Sequence, residues 1–92
     1  MPLEIVWSRL AMARLHEICS YIAQHQPDAA ERVATRIVAV VEALRNHPHL
    51  GHTSSEPGVH ELVIGGTPFI IFYRLRATQI VVLEGRHAAQ NK

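Results

Sequence analysis

From Gly58 to Gln90 the chain reads GVHELVIGGTPFIIFYRLRATQIVVLEGRHAAQ, three apolar runs separated by breakers too short to hold a helix. Strands joined by a few residues can pair only antiparallel, because a parallel connection needs a crossover of a dozen residues or more. Val59 to Ile64 alternates His60, Leu62 and Ile64 against Val59, Glu61 and Val63, and Gly65-Gly66-Thr67-Pro68 turns the chain. Phe69 to Arg76 and Gln79 to His87 follow, joined around Ala77-Thr78 as a two-residue hairpin of open turn type. The last third of the chain is therefore expected to be a meander.

Two helical patterns precede it. Leu3 to Trp7 reads as a short strand, and Ser8 is placed to cap the helix that follows. From Arg9 to about His25, Ala11, Leu15, Ile18 and Ile22 recur at three- and four-residue steps and share one face. Pro27-Asp28 breaks the pattern. Asp28 with Glu31 three residues later has the spacing of a capping box for a second helix, whose apolar stripe runs Ala30, Val33, Ile37, Val40, Val41, Leu44. The short connection makes the two helices antiparallel neighbours, and Asn46-His47-Pro48 ends them. The expected order is βααβββ: an α+β, two-layer domain with a helical hairpin on one face of an antiparallel sheet.

Ninety-two residues suit a single domain spanning residues 1–92, with a thin margin of stability. A formal net charge of +1, from nine basic and eight acidic residues, does not announce a nucleic-acid binder. Cys19 is the single cysteine, which excludes an intrachain disulfide and a thiolate metal cluster; among Ile18, Tyr21 and Ile22 it reads as a packing residue. The start lacks a basic region followed by an apolar stretch, and no apolar run reaches the roughly 20 residues that span a bilayer. The expectation is a cytoplasmic protein that does not use a membrane.

Phe69-Ile70-Ile71-Phe72-Tyr73 is apolar on both faces of its strand, whereas one helical hairpin covers one face of a sheet. Either the sheet curls under its own loops or a protein partner covers the second face, and the second reading is favoured. The expected partner surface is a groove between Leu15, Ile22, Val33 and Ile37 on the helices and Phe69, Ile70, Ile71 and Phe72 on the strand, although core is the better reading for most of those helix residues.

Candidates for chemistry are few. His47-x-His49-x-x-His52 lies in a polar loop with no acidic or cysteine ligand spaced beside it, so no metal site and no cofactor are expected. Arg74, Arg76, Arg86 and Lys92 gather in the last fifth of the chain, against Glu84. They form either a solvated sheet edge or a functional basic surface. A uniform hairpin register from Arg76 opposite Gln79 brings Phe69 opposite Arg86 and Pro68 opposite His87, about 20 Å from Arg74 at ~3.4 Å per residue. No GxSxG, Walker, HExxH or CxxC signature is present.

A series of short motifs runs through nearly the whole chain. They are Trp7 then Ala11, Ile18-x-x-Tyr21-Ile22-Ala23, Pro27-x-Ala29-Ala30-x-Arg32, Pro48-x-x-Gly51, Gly58-x-x-Glu61-Leu62, Gly66-Thr67-Pro68-Phe69 leading to Tyr73-Arg74-Leu75, and His87-x-x-Gln90. In this order and spacing they resemble the RelE/ParE superfamily of toxins from bacterial toxin–antitoxin pairs, and within it the ParE branch. RelE-like members cut messenger RNA on the ribosome with basic residues and a C-terminal Tyr or His. ParE-like members instead poison DNA gyrase, and each kind is silenced by a cognate antitoxin that wraps it.

The resemblance implies an inhibitor without catalytic residues of its own. Arg74, Arg76, Arg86, His87 and Gln90 are the candidate target-facing residues, and the groove above would be covered by the antitoxin in a hetero-oligomer. Phe69 stands where several ribonuclease relatives carry an arginine that stabilises phosphate charge, and no lysine precedes Lys92. His52 and His60 replace residues that are more often arginine, and Asn91-Lys92 replace an aromatic found after the last Gln. The alternatives are a ribosome-dependent mRNA endonuclease with His87 and Arg74 at its site, and an inactive relic that only binds antitoxin.

Overall fold

Helical and extended periodicities sort the chain into two layers, and the computed structural model describes residues 3–87 of it. The elements are β1 (Glu4–Trp7), α1 (Arg9–Ala23), α2 (Pro27–Ala43), β2 (His52–Thr53), β3 (Val59–Val63), β4 (Phe69–Leu75) and β5 (Gln79–His87). The strands form one sheet in the order β1-β5-β4-β3-β2. The two helices pack on one of its faces through a shared aliphatic core that includes Ala11, Ile18, Ile37 and Val41. This is the α+β two-layer architecture expected.

The sheet is mixed rather than wholly antiparallel. β1 lies parallel to β5, with Glu4 opposite Gln79 and Trp7 opposite Val82. The long helical excursion between them makes that pairing possible, as a parallel connection requires. The two residues of β2 add a strand that the polar loop did not announce, with His52 opposite Glu61.

Ser8 caps α1 as expected, its Oγ accepting from the Ala11 N–H at 3.0 Å and donating to the Leu83 carbonyl at 2.6 Å. One side chain thus starts the helix and ties it to β5. α2 corrects the capping-box reading. Pro27 itself occupies the first turn, where its missing N–H is harmless, and Gln26 holds the cap position without a side-chain bond. Asp28 falls inside the first turn, near the positive end of the helix. At the other end Arg45 pairs with Glu42 at 2.7 Å and donates to the Leu3 carbonyl at 3.1 Å, anchoring α2 to the start of β1.

The β4–β5 hairpin begins in the expected register, with Arg74 opposite Val81 and the Arg76 N–H donating to the Gln79 carbonyl at 2.8 Å. It slips between Phe72 and Tyr73, where Leu83 is the extra residue on β5. Beyond this bulge every pair shifts by one, so Phe69 faces His87 and Arg86 faces Ile70, not the pairs a uniform ladder gives. Gly85 then lies under the Phe69 ring, where a Cβ would overlap the ring atoms. At the β3–β4 turn, Gly66 takes φ +79°, a backbone that favours glycine.

Two apolar clusters result, one on each face. The inner cluster under the helices contains Ile37, Val41, Leu44, Ile64, Phe69, Ile71, Tyr73, Ile80 and Val82, nearly all solvent-free. The outer one is small: Val59, Ile70 and Phe72, with Leu83 packed against them.

Candidate functional site

The expected groove between helices and β4 is closed by the protein's own core. Ile37 and Ile71 are 0% exposed and Phe69 is 2% exposed, while Leu15, Ile22 and Val33 pack half-buried against the same cluster. In this conformation these residues hold helices to sheet and leave no open channel for a partner. The reason lies in alternation: Phe69, Ile71 and Tyr73 point to the helices, and Ile70 and Phe72 point to the other face.

That other face also finds cover from the chain. Ile70 is 7% and Phe72 8% exposed. The Arg86 guanidinium stands 4.7 Å over the Phe72 ring, and Val59 and Leu83 flank it. Much of the cover on this face thus comes from the chain itself. The bulge at Leu83 matters here, because it moves Arg86 from the inner to the outer face, beside Phe72.

The candidate target-facing residues do not form one cluster. Arg74 lies on the outer side, opposite Val59 and folded along Gly58, where an added Cβ would come within 2.7 Å of its Nη1. Arg76 is exposed beyond the end of β4. Arg86 and His87 sit at the opposite end of the hairpin, with His87 five β4 positions from Arg74, or about 17 Å at ~3.4 Å per residue, and Arg86 one position closer. Gln90 lies outside the described residues.

His87 faces the helix side. With Arg14, Glu17, Ile18, Tyr21, Phe69 and Gly85 it lines a cleft of about 860 Å³ between α1 and the end of β5. Tyr21 on its wall is 63% exposed, the most exposed large apolar side chain among those described. Alternation at α1 could have pointed to Tyr21, which falls off the stripe of Ala11, Leu15, Ile18 and Ile22. The cleft itself was not legible, since it depends on how the helix lies against β5.

Charges near Arg86 are arranged unevenly. Arg86 donates to Glu84 at 2.9 Å, and this hydrogen bond leads the causes that raise its pKa. Partial desolvation opposes the rise, while the fields of Glu84, Glu56 and Glu61 reinforce it. Arg86 is thus embedded in negative potential and is a poor lone anchor for phosphate.

His49 of the loop and His60 of β3 take structural places. His60 stacks on Tyr73 at 5.2 Å between centroids, and His49 meets His60 edge-on at 6.3 Å. The Tyr73 hydroxyl donates to the Pro48 carbonyl at 2.9 Å and accepts from the Gly51 N–H at 3.0 Å, pinning the loop to the sheet. Burial raises the Tyr73 pKa, and the Gly51 bond opposes that rise. Among the described residues, no group of three or more His, Cys, Asp or Glu is placed to hold a metal ion. No helix among them is long and apolar enough to cross a membrane.

Comparison with known proteins places these features in a family. The family model described as the ParE toxin of the type II toxin–antitoxin system parDE matches residues 5–92. Y4kP of Sinorhizobium fredii, a protein named as a toxin, is 40% identical over 86 residues, covering 94% of this chain and 88% of that protein. Toxin RelE2 of Caulobacter vibrioides is 32% identical over 87 residues, covering 95% and 97%. Among solved structures, a chain of the chromosomal ParDE system of P. aeruginosa superimposes with a TM-score of 0.84 at 26% identity, covering 92% of this chain and 95% of that one. A chain of the RelBE2 toxin–antitoxin complex of Mycobacterium tuberculosis shares the fold, with a TM-score of 0.70 at 19% identity over 95% and 99%.

Proposed function

Because the chain belongs to the ParE toxin family of type II toxin–antitoxin systems, we propose that it inhibits DNA gyrase in the cytoplasm and is held silent by a cognate antitoxin. The observation that carries this reading is the distribution of cations over the sheet. A ribonuclease site needs an acid–base group and a cation converging on one phosphate. Here Arg74 and His87 stand at opposite ends of the β4–β5 hairpin. Phe69, opposite His87, is a core side chain packed over Gly85. Arg86, next along the strand, is bound to Glu84.

The arrangement suits protein recognition better than RNA cleavage. Arg74 and Arg76 at one end of the hairpin, and Arg86 and His87 at the other, give two separate contact points for a large protein target. Gln90 would extend the second. The antitoxin would form a hetero-oligomer with the toxin, and the exposed Tyr21 wall of the α1–β5 cleft is a fitting place for it.

A second reading keeps a specific support, the likeness to a protein named Toxin RelE2. On that reading the chain cleaves ribosome-bound mRNA, with His87 as general base and Arg74 nearby. The two separate in cells induced to make the protein without antitoxin. Gyrase poisoning gives growth arrest with double-strand DNA breaks and intact messages. Messages cut at defined codons, and sparing of cells by His87→Ala, would move the assignment to the ribonuclease. No arrest at all, from folded protein, would mark an inactive antitoxin-binding relic.

A further inference from the structure

The outer face of the sheet carries another cavity, of about 480 Å³, which shares Glu84 and Arg86 with the α1–β5 cleft. Its floor is apolar: Val59, Phe72 and Leu83 come from three different strands, and Leu10 at the start of α1 forms one wall. The opposite wall is the loop Ser54–Glu56, held in shape by hydrogen bonds of 3.1 Å from the Ser54 hydroxyl to the Glu56 carbonyl and from the Glu56 N–H back to that hydroxyl. Leu10 is 45% exposed although it faces this apolar floor. The size lies within the usual range of ligand pockets, roughly 300–1,000 Å³.

Its charge is one-sided. Three carboxylates, Glu56, Glu61 and Glu84, line it against the single guanidinium of Arg86. Glu84 is taken by Arg86 at 2.9 Å, whereas Glu56 and Glu61 make no ion pair among the described residues. Arg74 and His52 lie on the same face but do not line the cavity. An apolar floor beneath an acidic rim disfavours a phosphate backbone and favours a long cationic side chain, whose methylenes can lie on Phe72 and Leu83 while its head meets carboxylates. A guanidinium fits better than an ammonium, because its planar fork meets a carboxylate with two bonds.

We infer that this outer cavity is a docking site for a protein segment that presents an arginine between apolar side chains, with Glu56 and Glu61 as the receiving carboxylates. The inference goes beyond the proposed function and holds whether the toxin acts on gyrase or on the ribosome. Charge complementarity selects the occupant: the existing Arg86–Glu84 pair on Phe72 already shows how a guanidinium sits on this floor.

The test uses the full chain and a capped pentapeptide with a central arginine between leucines, followed by amide NMR shifts. Saturable shifts at Val59, Glu61, Phe72 and Leu83 are expected, about tenfold weaker in affinity for the same peptide with a central glutamate. The affinity should fall as salt rises, and Glu56→Lys with Glu61→Lys should abolish it. Glu56 is exposed, Glu61 is half-buried and neither is ion-paired among the described residues, and an unchanged thermal midpoint would show that the double variant is folded. Should that variant fail to fold, Glu56→Gln alone gives the same test through a several-fold loss. Absence of saturable shifts, equal binding of the glutamate peptide, or shifts confined to Tyr21 and the α1–β5 cleft would each overturn the inference. Gyrase assays are not involved, so this failure is distinguishable from failure of the functional reading.

Discussion

The two faces of the sheet are built from the same strands and serve different ends. On the inner face Phe69, Ile71 and Tyr73 meet Ile37, Val41 and Leu44 in a cluster with almost no exposed surface. On the outer face Ile70 and Phe72 are covered thinly, by Val59, Leu83 and the Arg86 guanidinium, and carboxylates ring them. Close packing on one side fixes the shape, whereas the cover on the other is sparse and charged. A strand apolar on both sides therefore does not by itself call for an external cover.

The largest effect that could break this contrast is in the core. Ile37→Ala should cost about 2–5 kcal/mol of unfolding free energy by chemical denaturation, since its cavity has no route to solvent. Phe72→Ala should cost less than the ~3–5 kcal/mol usual for a core phenylalanine, because the shallow outer cluster can relax or admit water. Equal losses would show that the outer cluster is as much a core as the inner one.

Gly85 sharpens the comparison at the point where β5 crosses from one environment to the other. Gly85→Ala should destabilise by about 1–3 kcal/mol, as its Cβ runs into the Phe69 ring. In a Phe69→Leu background the same change should cost less. Strict additivity in that double-mutant cycle would count against the close approach.

Tyr73→Phe removes the hydroxyl between Pro48 and Gly51 and should cost about 1–3 kcal/mol, with faster amide exchange at Gly51. The raised Tyr73 pKa adds a pH signature. Its contribution is fully present below the unfolded value near ~10 and is lost as pH climbs through the folded value. Wild-type stability should therefore fall in strongly alkaline solution more steeply than that of Tyr73→Phe. Smallest of all, Arg86→Gln should cost less than about 1 kcal/mol, because the Arg86 side chain that makes the ion pair and the ring contact is itself about half exposed.

Much of this was legible in the residues, and the illegible part has identifiable causes. The stripes of α1 and α2 follow from apolar spacing, and the ends of β5 from Gln79 and His87. β1 was placed as a strand, but its parallel pairing depends on where two helices return the chain. The bulge at Leu83 left no mark in the alternation, since Val81-Val82-Leu83 is apolar throughout. That single residue moved His87 opposite Phe69 and set Arg86 on Phe72. Of the site, the separation of Arg74 from His87 could be read from hairpin length. The core role of the groove's helix residues could be read from their apolar stripes, but the acidic surroundings of Arg86 could not, because they depend on contacts between elements distant in sequence.

The central claim, an inhibitor of gyrase rather than a nuclease, is tested most directly with purified components. The protein, freed of antitoxin and shown to be folded, is added to gyrase, relaxed plasmid and ATP. The account expects supercoiling to stop and cleaved DNA to accumulate, with weaker effect from an Arg74→Ala Arg76→Ala variant. Unimpaired supercoiling, together with cutting of mRNA on purified ribosomes by the same preparation, would contradict it.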